Sequence, residues 1–144
     1  MKYLGLLLLV VAFTSCTKHR LDKFNHRIIG SWNLVEINTF GLGNSQIVFN
    51  GGSFTFNNDN TAVYYDRNNN TYYGNWFIDA YRTTSTDSDG NTDTDVDFIL
   101  SINVSNGGTK KYDSFEIPRF GNANRFKAKV HNSLNIVTYV FERR

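Results

Sequence analysis

Short apolar runs alternate with clusters of turn residues from Ile28 to the end of the chain. Aromatic and β-branched residues dominate the runs, and such residues favour strands. No stretch combines a sustained helical period with a pair of helix caps, so helices are not expected. The pattern predicts about eight strands, at Gly30–Phe40, Gln46–Phe56, Thr61–Asp66, Thr71–Ala80, Asp93–Val104, Thr109–Pro118, Asn124–Asn132 and Leu134–Arg143.

Two of these strands alternate cleanly between apolar and charged positions. The apolar positions are Phe126, Ala128 and Val130 in one strand and Val96, Phe98, Leu100 and Ile102 in the other. The charged positions between them are Arg125, Lys127 and Lys129, and Asp95 and Asp97. Such alternation is typical of antiparallel sheets with one buried and one solvated face.

The connections between the strands are rich in residues that tolerate a positive φ angle. They include Asn57–Asn60, Asn68–Asn70, Asn106–Gly108 and Gly121–Asn122. Tight hairpins need such residues, so neighbouring strands are expected to be antiparallel. Closing the sheet on itself removes exposed edges. We therefore expect an all-β fold, an antiparallel up-and-down barrel of about eight strands.

The N-terminus carries an apolar stretch, Leu4–Phe13, which is too short to span a bilayer but suits a signal peptide. The residues Phe13–Cys16 resemble a bacterial lipobox, in which the cysteine is acylated after cleavage. Cys16 is the single cysteine of the chain. These features predict a signal peptide at 1–15, lipidation at Cys16 with fatty acids such as palmitate, and a lipidated tether at 16–27, followed by a barrel domain at 28–144. The alternative is a secreted protein or an uncleaved anchor in which Cys16 is an incidental thiol.

A lipid anchor of this kind predicts membrane attachment without a transmembrane helix. Thr17, and not Asp, follows the cysteine, which resembles outer-membrane sorting in bacteria with two membranes. We expect a cell-envelope protein, an outer-membrane lipoprotein. The sequence does not determine whether it faces the periplasm or the cell surface. The basic residues of the tether are interpreted as a solvated linker, with contact to anionic headgroups as the alternative.

Composition and charge narrow the function classes. The chain has 144 residues, which suits one domain, and 15 Lys and Arg against 13 Asp and Glu give a net charge of +2. That balance carries no nucleic-acid signature. The chain has neither a G-x-S-x-G motif nor a His pair at metal spacing, and no nucleophile and base can be paired. We expect no catalytic activity, no cofactor and no metal centre, and a hydrolase is disfavoured.

One acidic run leaves an alternative open. Asp87–Asp97 places carboxylates at alternate positions, and oxygen ligands of this kind suit Ca²⁺. The spacing differs from that of an EF-hand loop. The favoured interpretation is a hairpin loop around Asp89 and Gly90 that leads into a strand with outward carboxylates.

Three short motifs carry a resemblance to a known family. Gly30-Ser31-Trp32 resembles the G-x-W signature of lipocalins, Phe54–Thr61 is similar to an F-x-x-D-G-T hairpin, and Gly74-Asn75-Trp76 is similar to a later G-x-W/Y strand. Residues 28–144 therefore resemble small lipocalin-like lipoproteins of Bacteroidota. The resemblance implies a barrel end plugged by Trp32, with Arg143 or Arg144 stacked on its ring.

The resemblance also implies a lumen that can hold a small hydrophobic molecule. Strand alternation nominates as ligand-binding residues Leu34, Glu36, Phe54, Phe56, Tyr64, Tyr72, Trp76 and Phe98. The alternative for these residues is a packed core, because eight strands enclose little more than their own side chains. Glu36 stands apart, since an inward carboxylate needs a partner, whereas a one-residue slip would place it in water.

Two functions follow from these alternatives. The first is a non-enzymatic, lipid-anchored carrier of a small hydrophobic ligand. The second is an envelope interaction module with a solidly packed barrel, whose loops Phe40–Asn50 and Tyr81–Thr92 contact a protein or glycan.

Overall fold

The protein forms a closed barrel of eight antiparallel strands, in a computed structural model that describes residues 21, 23–132 and 134–144, without the side chains of 118 and 119. The predicted fold class is therefore confirmed. The strands are β1 (Gly30–Gly41), β2 (Gly52–Phe56), β3 (Thr61–Tyr65), β4 (Thr71–Thr86), β5 (Thr92–Asn106), β6 (Thr109–Asn122), β7 (Arg125–Asn132) and β8 (Asn135–Arg143).

Every strand pairs with the next one along the chain, and β8 returns to pair with β1. This last pairing runs from Trp32 opposite Arg143 to Gly41 opposite Asn135. The signature residues of the first strand therefore lie directly beside the end of the last strand.

Side-chain alternation and turn chemistry agree with the sequence pattern. Phe126 and Ala128 are fully buried while Arg125 and Lys127 are exposed. Asn60 adopts a φ of 65° and Asn69 a φ of 62°, the left-handed conformation that their turns require. The turn expected at Gly121–Asn122 is wrong, because both residues belong to β6 and the turn follows at 123–124.

Several strand boundaries differ from the prediction. Residues 46–51 form a loop and not the start of β2. β6 continues past Pro118, where the sequence predicted its end, and the β6–β7 register shifts between Glu116 and Arg119. An irregularity at this place accommodates a residue that has no backbone N–H.

β4 and β5 are longer than predicted and form a projecting ribbon, defined here as residues 81–95. Its pairing extends to Thr86 opposite Thr92, and every residue in it is exposed. Within the described chain, β3 pairs with β4 only as far as Asn75, and β6 pairs with β5 only from Ile99. The ribbon therefore stands outside the closed part of the barrel.

A short helix, α1 (23–28), covers the end of the barrel at which β1 begins, called here the helix end. Phe24 stacks on Phe98 with 4.2 Å between ring centroids, and Ile28 is fully buried. The sequence pattern did not predict this helix. Across the described residues, no helix has the length and apolar character needed to cross a membrane.

The opposite end, called the loop end, carries the long β1–β2 loop (42–51). Phe49 of this loop is fully buried, 5.2 Å from Phe54 and 5.0 Å from Tyr64 between ring centroids. Because the loop contributes a side chain to the core, it is part of the packed structure.

Candidate functional site

The helix end is organised around Trp32, which is fully buried. Its Nε1 donates a hydrogen bond to the Ile28 carbonyl at 2.7 Å, and its ring meets Phe126 edge-on at 4.7 Å. The hydrogen bond satisfies the indole N–H, and the ring contact packs part of its apolar surface. Trp32 is thus held from α1 above and from β7 beside it.

Arg143 stacks on Trp32, with its guanidinium carbon 4.4 Å from the ring centroid. The same guanidinium donates to the carbonyls of Arg27 at 2.8 Å, Ile29 at 3.2 Å and Ala123 at 3.4 Å. Arg144 does not take this place, and its backbone N–H donates to the Ser31 carbonyl at 2.9 Å. The stacking contact implied by the resemblance is therefore present, and it involves Arg143.

Gly30 has a physical reason to be glycine. Its φ is +124°, and a Cβ at this position would lie 2.7 Å from the Arg143 guanidinium. A side chain here would strain the backbone and push away the arginine that bridges α1 and β8. The stacking of Arg143 on Trp32, the third residue of the G-x-W motif, thus explains why the first residue is glycine.

Seven of the eight nominated ligand-binding residues face the lumen and are at most 6% exposed. Ring centroids are 4.5 Å apart between Phe54 and Tyr64, 5.6 Å between Phe56 and Trp76, and 5.6 Å between Tyr64 and Tyr72. Phe98 belongs to the same core cluster, and its ring stacks on Phe24 of α1. Leu34 is also buried, so the structure brings the set together as a core.

Glu36 does not face the lumen, so the expectation that its carboxylate points inward is wrong and the alternative, a carboxylate in solvent, is what the structure shows. The β1–β8 register shifts between Leu34 and Glu36, so a bulge turns Glu36 outward. Its carboxylate lies 3.6 Å from Arg125 and accepts a 2.8 Å hydrogen bond from Asn38. The basic partner that the carboxylate needs is present, but on the solvent side.

Ring contacts cross the whole barrel without interruption. The centroid separations along this path lie between 4.5 Å and 5.6 Å. The path, called here the ring column, runs through Phe24, Phe120, Phe126, Phe141, Phe54, Tyr64 and Phe49. The lumen therefore contains a continuous aromatic core from the helix end to the loop end.

Polar groups gather above the ring column at the loop end. Lys111 donates to the Val48 carbonyl at 3.1 Å, and Tyr64 donates to the Gly51 carbonyl at 2.7 Å. Burial raises the pKa of Tyr64 to about 12. Both bonds fasten the β1–β2 loop over the barrel.

Two further groups at the loop end have incomplete polar contacts. The buried Tyr139 hydroxyl makes no well-formed hydrogen bond within the described residues, and burial, with nearby Asp113 as a second cause, raises its pKa. Burial also raises the pKa of Asp113, whose carboxylate accepts only the Ser114 N–H at 3.0 Å in the described structure. Sequence reasoning missed Asp113, although it shares strand parity with the buried Phe115.

The acidic run builds a turn. The Asp87 carboxylate accepts the backbone N–H groups of Asp89 at 3.0 Å and Asn91 at 2.8 Å, and the Asn91 side-chain amide at 3.1 Å. These bonds lower the pKa of Asp87. The described residues contain no group of three ligands that could hold a metal ion. The expected hairpin loop at Asp89 and Gly90 is present.

A polar concavity lies outside the barrel, on the outer faces of β1, β2 and β3. Its volume is about 760 Å³. It is called here the outer trough, and its lining comprises Asn33, Gly52, Ser53, Thr55, Tyr65, Asp66, Asn69 and Arg144. Sequence reasoning did not nominate these residues, because single outward polar positions carry no motif.

The predicted signal peptide and the lipidation site Cys16 lie outside the described residues. Comparison of the chain with protein-family models, curated proteins and solved structures finds no match.

Proposed function

We propose that this protein is a non-enzymatic recognition domain of the cell envelope, lipid-anchored through Cys16, whose packed barrel presents binding surfaces on its outside. The observation that carries this proposal is the ring column. Aromatic side chains in mutual contact occupy the lumen from α1 to Phe49, so a luminal ligand would have to displace core side chains. Binding then takes place on surfaces that the barrel holds rigid.

Exposed apolar side chains at the loop end support a recognition role. Phe40 and Leu42 are each 80% exposed and Leu134 is 72% exposed. Leu42 and Leu134 line a concavity of about 300 Å³ that also includes Gly43 and Asn44. Part of the predicted contact loop Phe40–Asn50 is thus exposed, while Phe49 of the same loop is core.

A second candidate function, the carriage of a small hydrophobic ligand, is favoured by one specific observation. The Tyr139 hydroxyl is buried without a well-formed hydrogen bond beside the loop that delivers Phe49. A ligand with one polar group could satisfy Tyr139 if the loop withdrew Phe49. This candidate requires that the core aromatic of the loop be exchanged for the ligand.

Native mass spectrometry distinguishes the two functions. The purified protein is incubated with a lipid extract of bacterial envelopes and compared with a denatured sample. The packed recognition domain predicts a single protein mass with nothing retained. A retained apolar lipid mass would contradict it and favour the carrier.

A positive control makes a clean result informative. Phe49→Ala leaves space beside Phe54 and Tyr64, so this variant should take up the apolar dye N-phenyl-1-naphthylamine with a rise in fluorescence. The unaltered protein should give no such rise. Equal dye uptake by both proteins would show that the lumen is already accessible.

A further inference from the structure

The outer trough has a floor of small residues between taller walls. Asn33, Ser53 and Tyr65 lie opposite one another on three neighbouring strands. Gly52 belongs to the floor, and a Cβ there would lie 1.9 Å from the Tyr65 carbonyl. Because the floor side chains are short, Tyr65 rises above them as one wall, with Arg144 also lining the concavity.

The wall beside Tyr65 is held by a rigid turn. The Asp66 carboxylate accepts the N–H groups of Asn68 at 2.8 Å and Asn70 at 2.9 Å, and the Asn70 side-chain amide at 3.0 Å. These bonds lower the pKa of Asp66. The turn also holds Asn69 at a φ of 62°. Asn69 is therefore presented to the trough in a fixed backbone conformation, which reduces the entropic cost of binding.

The trough keeps hydrogen-bonding capacity available. Within the described structure, the side chains of Asn33, Ser53 and Asn69 and the Tyr65 hydroxyl make no hydrogen bond to the protein. Their amides and hydroxyls both donate and accept. Among the described residues that line the trough, the carboxylate side chain is that of Asp66, which is occupied by its own turn, and Arg144 is the cationic side chain.

We propose that the outer trough binds a neutral saccharide. Tyr65 is 44% exposed and offers a ring face to the C–H side of a sugar, while amides and hydroxyls on the floor and walls pair with its hydroxyl groups. This inference rests on the proposed function and names the ligand class of one recognition surface.

The experiment is an NMR titration of the isotope-labelled protein with neutral hexose oligosaccharides, maltohexaose and cellohexaose, up to 10 mM. We expect backbone amide shifts concentrated at Asn33, Ser53, Tyr65 and Asn69. Tyr65→Ala should weaken binding about tenfold. The matched control is Tyr73→Ala, because Tyr73 is 64% exposed on the neighbouring strand but does not line the trough; it should change the affinity less than twofold.

Ser53→Trp provides an independent test by filling the floor of the trough. It should abolish the shifts while leaving the barrel spectrum in place. Absence of shifts with both oligosaccharides, or equal weakening by Tyr65→Ala and Tyr73→Ala, would overturn the proposal. Oligogalacturonate is titrated in parallel, and binding of this sugar alone would also overturn the proposal, because the ligand would then be anionic. Each of these failures leaves the packed recognition domain standing, since that proposal depends on the lumen experiment.

Discussion

Phe49→Ala tests whether the β1–β2 loop is a structural part of the barrel. Phe49 is fully buried and contacts the rings of Phe54, Tyr64 and Phe115 at centroid distances of 5.2, 5.0 and 6.1 Å. Removal of a buried Phe side chain costs about 3–5 kcal/mol. At roughly 4 °C per kcal/mol for a domain of this size, the melting temperature should fall by about 12–20 °C.

Urea unfolding followed by tryptophan fluorescence measures this loss, because Trp32 and Trp76 are both buried. The matched control is Phe40→Ala at the end of β1, where the side chain is 80% exposed and the change should stay within about 0.5 kcal/mol. A loss below about 1 kcal/mol for Phe49→Ala would refute the reasoning. It would mean that the loop rests on the barrel without contributing to its core.

Three further substitutions test contacts elsewhere in the barrel. Arg143→Lys should cost about 1–2 kcal/mol in urea unfolding, because lysine cannot both stack on Trp32 and donate in several directions. Asp113→Asn should raise the melting temperature at pH 7 but not at pH 3. Burial raises the pKa of this carboxyl above its ordinary value of 3.8, so its ionisation as pH rises through the raised pKa destabilises the fold. Glu36→Gln should change stability by about 0.5 kcal/mol or less, because its ion pair with Arg125 is solvent-exposed.

Controls make these three results decisive. Arg144→Lys should be neutral in the same unfolding assay, and an equal loss there would contradict the specific role of Arg143. A lower melting temperature for Asp113→Asn at pH 7 would show that the carboxylate has a stabilising partner. A loss above about 2 kcal/mol for Glu36→Gln would show that the carboxylate acts as a buried group.

The barrel could be predicted because its strands follow the simplest rules. In β7 apolar and basic residues alternate without a break, and asparagines occupy turn positions that need a positive φ. Consecutive hairpins leave the first and last strands as unpaired edges. Pairing these two strands with each other satisfies the backbone groups of both edges. Trp32 and Arg143 could be paired only through the family resemblance, since their contact joins the first strand to the last.

The remaining features lack a local signal. Nothing near Val35 marks the bulge that turns Glu36 outward, because the register of β1 is set by its pairing with β8. Phe49 lies in a loop whose polar neighbours hide its burial. α1 is too short for a recognisable helical period, and its Phe24 packs on Phe98, a residue distant in the sequence.

The outer trough shows a further limit of sequence reasoning. Residues of β1, β2 and β3 line it, and its floor is made by short side chains of β1 and β2. Short outward residues look the same in a flat surface and in a concave one. The concavity follows from the register across strands, which a single sequence does not contain.

The pairing of β1 with β8 closes the barrel and is called here the seam. Every other pair joins neighbours in the chain, whereas this one joins residues roughly a hundred positions apart. Closing so long a loop costs about 2.7 kcal/mol more than closing a five-residue hairpin loop. We therefore expect the meander of hairpins to form first and the seam to close late. The hydrogen bonds from Arg143 to the carbonyls of Arg27 and Ile29 then stabilise the closed barrel against separation of β1 and β8.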